Sequence, residues 1–345
     1  MKTILVLAAL VAVLYAKSFT METRSSGSLR AKLIAANLYQ KYLEEQHLRR
    51  AQILASGSQP FIDYADDFYL GNVTVGTPPQ TAPLVLDTGS SNLMCRTLSK
   101  YNFSGLTVAK QEFGVATHLA EVFGYQPVDG ILGLGWPALA VDKVVPPMQN
   151  LLPQLDQPLF TVWMDRKLTV SNGGNAGLIT YGAIDTKNCQ SQINYVPLSA
   201  ETYWQFPIQG FSIGSYSENK KEQVISDTGT SWIGAPTTVV SAVVKQTGAK
   251  YDFTNELYTV PCSTQKTQPD LVFTINGVKY NVPSVEYVLD LGLGNGKCAL
   301  TFFGMNSGGF GPAWILGDTW IRTYCNIYDI GQKRIGFAKA NHSGL

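Results

Sequence analysis

The sequence predicts a mainly β protein built from two similar lobes. Three observations carry this expectation. Short apolar runs with strand-type alternation recur along the chain between Gly and Pro turns. One acidic loop motif occurs twice. The length, 345 residues, exceeds what one ordinary core holds.

The strand signal begins at Phe68, where Phe-Tyr-Leu-Gly-Asn-Val-Thr-Val leads into Gly-Thr-Pro-Pro, and returns in Leu-Val-Phe-Thr-Ile from Leu271 and Arg-Ile-Gly-Phe-Ala from Arg334. Helices are expected at 29–52, where Leu and Ile recur at steps of three and four, and at 145–154 and 236–247. The repeated motif is Val-Leu-Asp87-Thr-Gly-Ser-Ser in the first half and Ile-Ser-Asp227-Thr-Gly-Thr-Ser in the second. Each is followed later by an apolar-apolar-Gly unit, Ile131-Leu-Gly133 and then Ile315-Leu-Gly317.

Residues 1–16 run from a single Lys2 through an apolar stretch to small residues, the pattern of a signal peptide cleaved after Ala16. The rival reading, an uncleaved anchor, needs a longer span. Residues 1–58 hold 8 Lys/Arg against 3 Asp/Glu, whereas the remainder holds 18 against 22. Entry into the secretory pathway argues against a nucleic-acid arm, so a detachable basic segment at 17–58, lying on an acidic cleft, is expected. Extracellular or lysosomal location and a monomeric state follow as expectations.

Five cysteines in an oxidising compartment imply pairing with one left over. Cys262 and Cys298 enclose a strand-rich stretch and are expected to pair, with Cys189–Cys325 as the second bond and Cys95 remaining. No metal or other cofactor is expected from spacings so wide and from 3 His. Asn72, Asn102 and Asn341 open glycosylation sequons.

A single Asp-Thr-Gly is commonly only an Asx-type turn. Two of them, related by a twofold, can bring carboxylates face to face, where they share one proton. One carboxylate then serves as base on a water while the other polarises a carbonyl. Gly89 and Gly229 are expected to bend the loops and present N–H groups. Thr88 and Thr228 would bond across the twofold, and Ser90 and Thr230 would hold the outer carboxylate oxygens.

From Phe68 almost to the end, the chain resembles the pepsin-like aspartic proteases, particularly the cathepsin D-like enzymes of nematodes. The resemblance rests on VLDTGSSN, VDGILGLGW, VISDTGTSW and WILGDTWIRTYCNIYDIGQKRIGFA. It implies a bilobal pepsin-like fold with lobes at 59–190 and 191–345, the catalytic pair Asp87 and Asp227, and endopeptidase activity on proteins at acidic pH. It also implies that the basic segment is an inhibitory propeptide, with Lys41 as the lysine covering the aspartates, and that Tyr203 lines the substrate site.

The spacing departs from that pattern. Asp227 lies 88 residues before Ile315, but Asp87 lies only 44 before Ile131. About forty residues that the family carries are expected to be missing from the first lobe, among them the flap hairpin with its tyrosine. Tyr101 is the sole tyrosine between residues 88 and 124, and its Lys-Tyr-Asn-Phe setting does not form that hairpin. Three readings stay open: an endopeptidase, a non-catalytic binding protein of the same fold, or a shortened product of a full-length gene.

Overall fold

The computed structural model describes residues 18–44, 69–75, 80–95, 108, 111–116, 127–166, 175–306 and 311–342. Residues 1–17, where the signal peptide is expected, residues 45–58 of the basic leader, Tyr101 and Asn102 lie outside the described residues.

Nine strands set the frame: β1 (Phe19–Ser25), β2 (Tyr69–Val75), β3 (Gln80–Asp87), β4 (Leu93–Cys95), β5 (Gly114–Val115), β6 (Gly130–Gly133), β7 (Leu159–Met164), β8 (Asn175–Tyr181) and β9 (Cys189–Pro197). They join one eleven-stranded sheet in the order β5-β4-β6-β3-β2-β1-β8-β7, continued by Tyr324–Asp329, Arg334–Ala340 and β9. The strand Tyr324–Asp329 therefore closes onto β7 of the first half, and Arg334–Ala340 links it to β9. The boundary drawn at 190/191 falls inside β9. The remaining strands of the second half make one six-stranded and two four-stranded sheets.

Strand β3 ends in an unbroken apolar run because both its faces are covered there: Leu84, Val85 and Leu86 are all buried. Its second-half counterpart, Glu222–Ser226, ends in buried Val224, Ile225 and Ser226. The register repeats. Leu84, Val85 and Leu86 face Gly130, Ile131 and Leu132 in parallel, as Val224, Ile225 and Ser226 face Trp314, Ile315 and Leu316. In each half the strand after the loop returns antiparallel on the same partner, Leu93 against Leu132 and Ile233 against Leu316. The two apolar-apolar-Gly units are the partners that seat the two acidic loops.

The basic leader does more than lie on a cleft, which corrects the sequence expectation. β1 pairs with β8 from Phe19 to Arg24 on one side and with β2 over Thr23–Ser25 on the other, so it is an inner strand of the sheet. The helix expected over 29–52 is also interrupted. Helix α1 spans Leu29–Ala35, capped by Ser28, whose hydroxyl accepts from Ala31 N. Asn37 then takes φ 55° and breaks it, a conformation that Asn tolerates and apolar residues avoid. Residues 39–44 are helical again. Leu29, Leu33 and Tyr39 bury together as a small core under this segment.

The expected helices in the body form at Pro147–Leu151, continued by Leu152–Gln154, and at Thr237–Thr247. Disulfides join Cys189 to Cys325 and Cys262 to Cys298. Cys95 is buried and belongs to neither. No described helix is long and apolar enough to cross a membrane.

Candidate active site

Both acidic loops end their strands at one place between the halves. Asp87 closes β3, and its carbonyl accepts from Leu134 N at 2.7 Å. Asp227 follows Glu222–Ser226, and its N–H donates to Leu316 O at 3.1 Å. Each carboxylate is held in the same way. Gly89 N donates to Asp87 Oδ1 at 2.8 Å, and Gly229 N donates to Asp227 Oδ1 at 2.9 Å. Ser90 Oγ donates to Asp87 Oδ2, and Thr230 Oγ1 to Asp227 Oδ2 at 2.7 Å.

The loops are locked across the twofold by their threonines. Thr88 N donates to Thr228 Oγ1 at 2.9 Å, and Thr228 N donates to Thr88 Oγ1 at 2.9 Å. Each hydroxyl then reaches the opposite strand, Thr88 Oγ1 to Ser226 O at 3.0 Å and Thr228 Oγ1 to Leu86 O at 2.5 Å. Both threonines are buried, so these bonds satisfy groups that water cannot reach.

The glycines explain themselves by space. A Cβ on Gly89 would sit 2.6 Å from Asp227 Oδ1, and one on Gly229 would strike Asp87 Oδ1. Each loop thus gives way to the other loop's carboxylate. Asp227 is 5% exposed, whereas Asp87 keeps a partly open surface. Burial, then the charge of Asp227, pushes Asp87 up to about 7, against the pull of Ser90 and Gly89. Two carboxyls interacting in this way favour a state in which they hold one proton between them.

Tyr203 occupies the turn between Ala200–Glu201 and Trp204–Ile208. Burial raises its hydroxyl's pKa, followed by the charges of Asp227 and Asp87, so the phenol stands within the electrostatic reach of both. Lys41 is exposed on the helical stretch 39–44 rather than enclosed between the carboxylates. That stretch faces the second half instead. Tyr39 OH donates to Asn255 O at 3.3 Å and Gln40 Nε2 to Thr254 O at 2.6 Å. Asn72 and Asn341 are both exposed.

Sequence reasoning missed several groups around the loops. Ser91 Oγ donates to Trp136 O, Trp204 Nε1 donates to Leu134 O, and Ser226, Asn326 and Tyr328 form a buried polar cluster. Only Ser226 left a signal, being polar where the first motif has Leu86. The guanidinium of Arg30, on α1, lies 4.1 Å over the ring of Trp232, just beyond the second loop.

Two lobes of β-sheet that meet at reciprocally locked Asp-Thr-Gly loops define an acid-protease type of protein. The comparisons agree. The eukaryotic aspartyl protease family matches residues 68–99 and 98–340, and the chain belongs to it. It is an aspartic endopeptidase by that membership. It is 59% identical to Aspartic protease 1 of Caenorhabditis elegans over 392 aligned positions, covering 99% of each chain. It is 51% identical to Aspartic protease 17 of the same organism, covering 94% of this chain and 95% of that one. To bovine (Bos taurus) pepsin A it is 31% identical, with 90% and 96% covered. The family match divides at residues 98–99. In the first of these alignments at least 47 positions have no residue here, since 392 positions meet a chain of 345.

Proposed function

We infer that Asp87 and Asp227 are the catalytic pair and that they hydrolyse extended peptides at acidic pH. The observation that carries this is the mutual approach of the loops, each glycine yielding space to the opposite carboxylate. With one proton in the pair, the ionised carboxylate takes a proton from water as its oxygen attacks the peptide carbonyl carbon. The protonated one gives its proton to the carbonyl oxygen. The pair then gives its proton to the amide nitrogen and takes one back from a hydroxyl of the gem-diol as the C–N bond breaks, so it is left again with one proton. Gly89, Ser90, Gly229 and Thr230 hold the carboxylates in the required orientation before substrate arrives. Tyr203 lines the approach.

The division of the family match at 98–99 supports the absence of the closing hairpin. Without it the cleft above the pair stays open on the first-lobe side, and substrate ordering and water exclusion are weaker. The basic leader is a propeptide that enters the sheet through β1 and grips the second lobe through α1. The two disulfides and the family fit the secretory pathway. Extracellular or lysosomal delivery, glycans on Asn72 and Asn341 and a monomeric state complete the reading.

One experiment tests it: turnover of a quenched peptide at acidic pH by this chain and by a version carrying a relative's segment at 98–99. The expected result is activity in both, with kcat/KM well higher in the restored chain. Activity in the restored chain alone supports a second reading, a peptide-binding protein that lost catalysis with the hairpin. Activity in neither contradicts the proposed pair. Intact mass of the natural mature protein shows whether the short form is the one made.

A further inference from the structure

Ser226 is 1% exposed, and a hydroxyl so placed needs partners. It finds two on the strand Tyr324–Asp329: Asn326 Oδ1 at 3.0 Å and Tyr328 OH at 2.8 Å. The direction of each bond follows from the next. Asn326 Nδ2 donates to Tyr324 O at 2.8 Å, which turns the amide's oxygen toward Ser226. Ser226 therefore donates its one proton to Asn326 and accepts from Tyr328.

The Tyr328 phenol also lies beside the Thr88 hydroxyl and feels the charge of Asp227. Thr88 in turn donates to the carbonyl of Ser226. One phenol thus touches the residue before Asp227 and the residue after Asp87. Its ring cannot swing away. It is fully buried, stacked on Phe160 at 4.6 Å between centroids and edge-on to Trp204 at 4.9 Å. Trp204 is itself pinned by its bond to Leu134 O.

We propose that Tyr328 is a positioning residue for the carboxylate pair: its hydroxyl, bonded to Ser226, whose carbonyl in turn holds Thr88, fixes how closely the loops bearing Asp87 and Asp227 approach. This rests on the reading that the two carboxylates act together, and it adds a strand of the shared sheet as the element that sets their separation. Removing the hydroxyl takes away one of the two partners that hold Ser226, and the loops relax apart. Burial and the neighbouring charge then both weaken at Asp87, so its proton is held less tightly.

The test is a titration of the carboxyl carbons by 13C NMR on the full chain labelled at aspartate, with the pair assigned from Asp87→Asn and Asp227→Asn. In Tyr328→Phe the upper step of the pair should fall by about half a unit or more. Ser226→Ala should lower it too, and the double variant should move it no further than the larger single shift, because both act through one chain of bonds. An unmoved pair in a folded Tyr328→Phe, even one that melts earlier, overturns the proposal, as do additive shifts. If Tyr328→Phe fails to fold, Ser226→Ala decides by the same criterion. Turnover is read in parallel, with kcat expected to fall more than KM changes. A wild-type chain without turnover contradicts the proposed catalysis, while the titration still decides the positioning role.

Discussion

Thr88 and Thr228 hold each other reciprocally, each backbone N–H donating to the other's hydroxyl at 2.9 Å across the two halves. Replacing Thr228 by Val keeps the shape but strands the N–H of Thr88 and the carbonyl of Leu86. An unsatisfied buried group costs about 1–3 kcal/mol, so denaturant unfolding should show a loss of about 2–3 kcal/mol. Thr88→Val should cost a similar amount. The double variant should cost less than the sum, since the two share one set of bonds. A loss below about 0.5 kcal/mol in either single variant would place the inter-loop lock elsewhere.

Stability should also depend on pH through Asp87. Its folded pKa stands above the ordinary 3.8, so the folded chain binds the proton more tightly than the unfolded chain does. That contribution is fully present below pH 3.8 and is lost as pH rises through about 7. Melting temperatures should therefore fall across this window, and Asp87→Asn should flatten that part of the profile. A wild-type profile that rises from pH 4 to 7, with no change in slope in the variant, contradicts the raised pKa.

Gly229→Ala tests the close approach. The added methyl strikes Asp87 Oδ1, and one loop must shift. Misplacement of about 1 Å at reacting groups costs on the order of 100-fold in rate. Peptide turnover should fall by about that factor while near-UV circular dichroism stays native. Full activity in Gly229→Ala would show that the pair tolerates separation.

The leader should leave more readily without Arg30. Its guanidinium over Trp232 contributes roughly 0.5–2 kcal/mol. Arg30→Ala should speed acid release of the leader several-fold, measured by the appearance of a free leader peptide in mass spectrometry. An unchanged release rate would mean that β1, pairing on both sides, sets the barrier alone.

What the sequence showed and what it hid divide by the range of the interactions. Asp87 and Asp227, their glycines and their hydroxyl partners were legible because a local motif was written twice. Strands such as Gln80–Asp87 and Leu271–Ile275 were legible because apolar runs end at turns. The fate of the leader was not. β1 pairs with β2, some fifty residues on, and with β8, some 150 residues on, and no local pattern encodes such a partner. Lys41 carried the expected charge, yet the break at Asn37 and the contacts of Tyr39 and Gln40 turn its stretch toward Asn255. Tyr328 looked like any strand tyrosine, and its role depends on Ser226, 102 residues earlier.

The central claim is that Asp87 and Asp227 work as one unit. The most direct measurement is turnover of a quenched peptide across the pH range on both sides of about 7, from acid to mildly alkaline, by the acid-activated chain and by Asp87→Asn and Asp227→Asn. Wild-type turnover should decline as pH rises through about 7, where the pair gives up its shared proton. Each variant alone should lose at least about 1,000-fold, and the double variant no more than either. Turnover that survives either substitution, or losses that multiply in the double variant, would contradict the shared-proton pair.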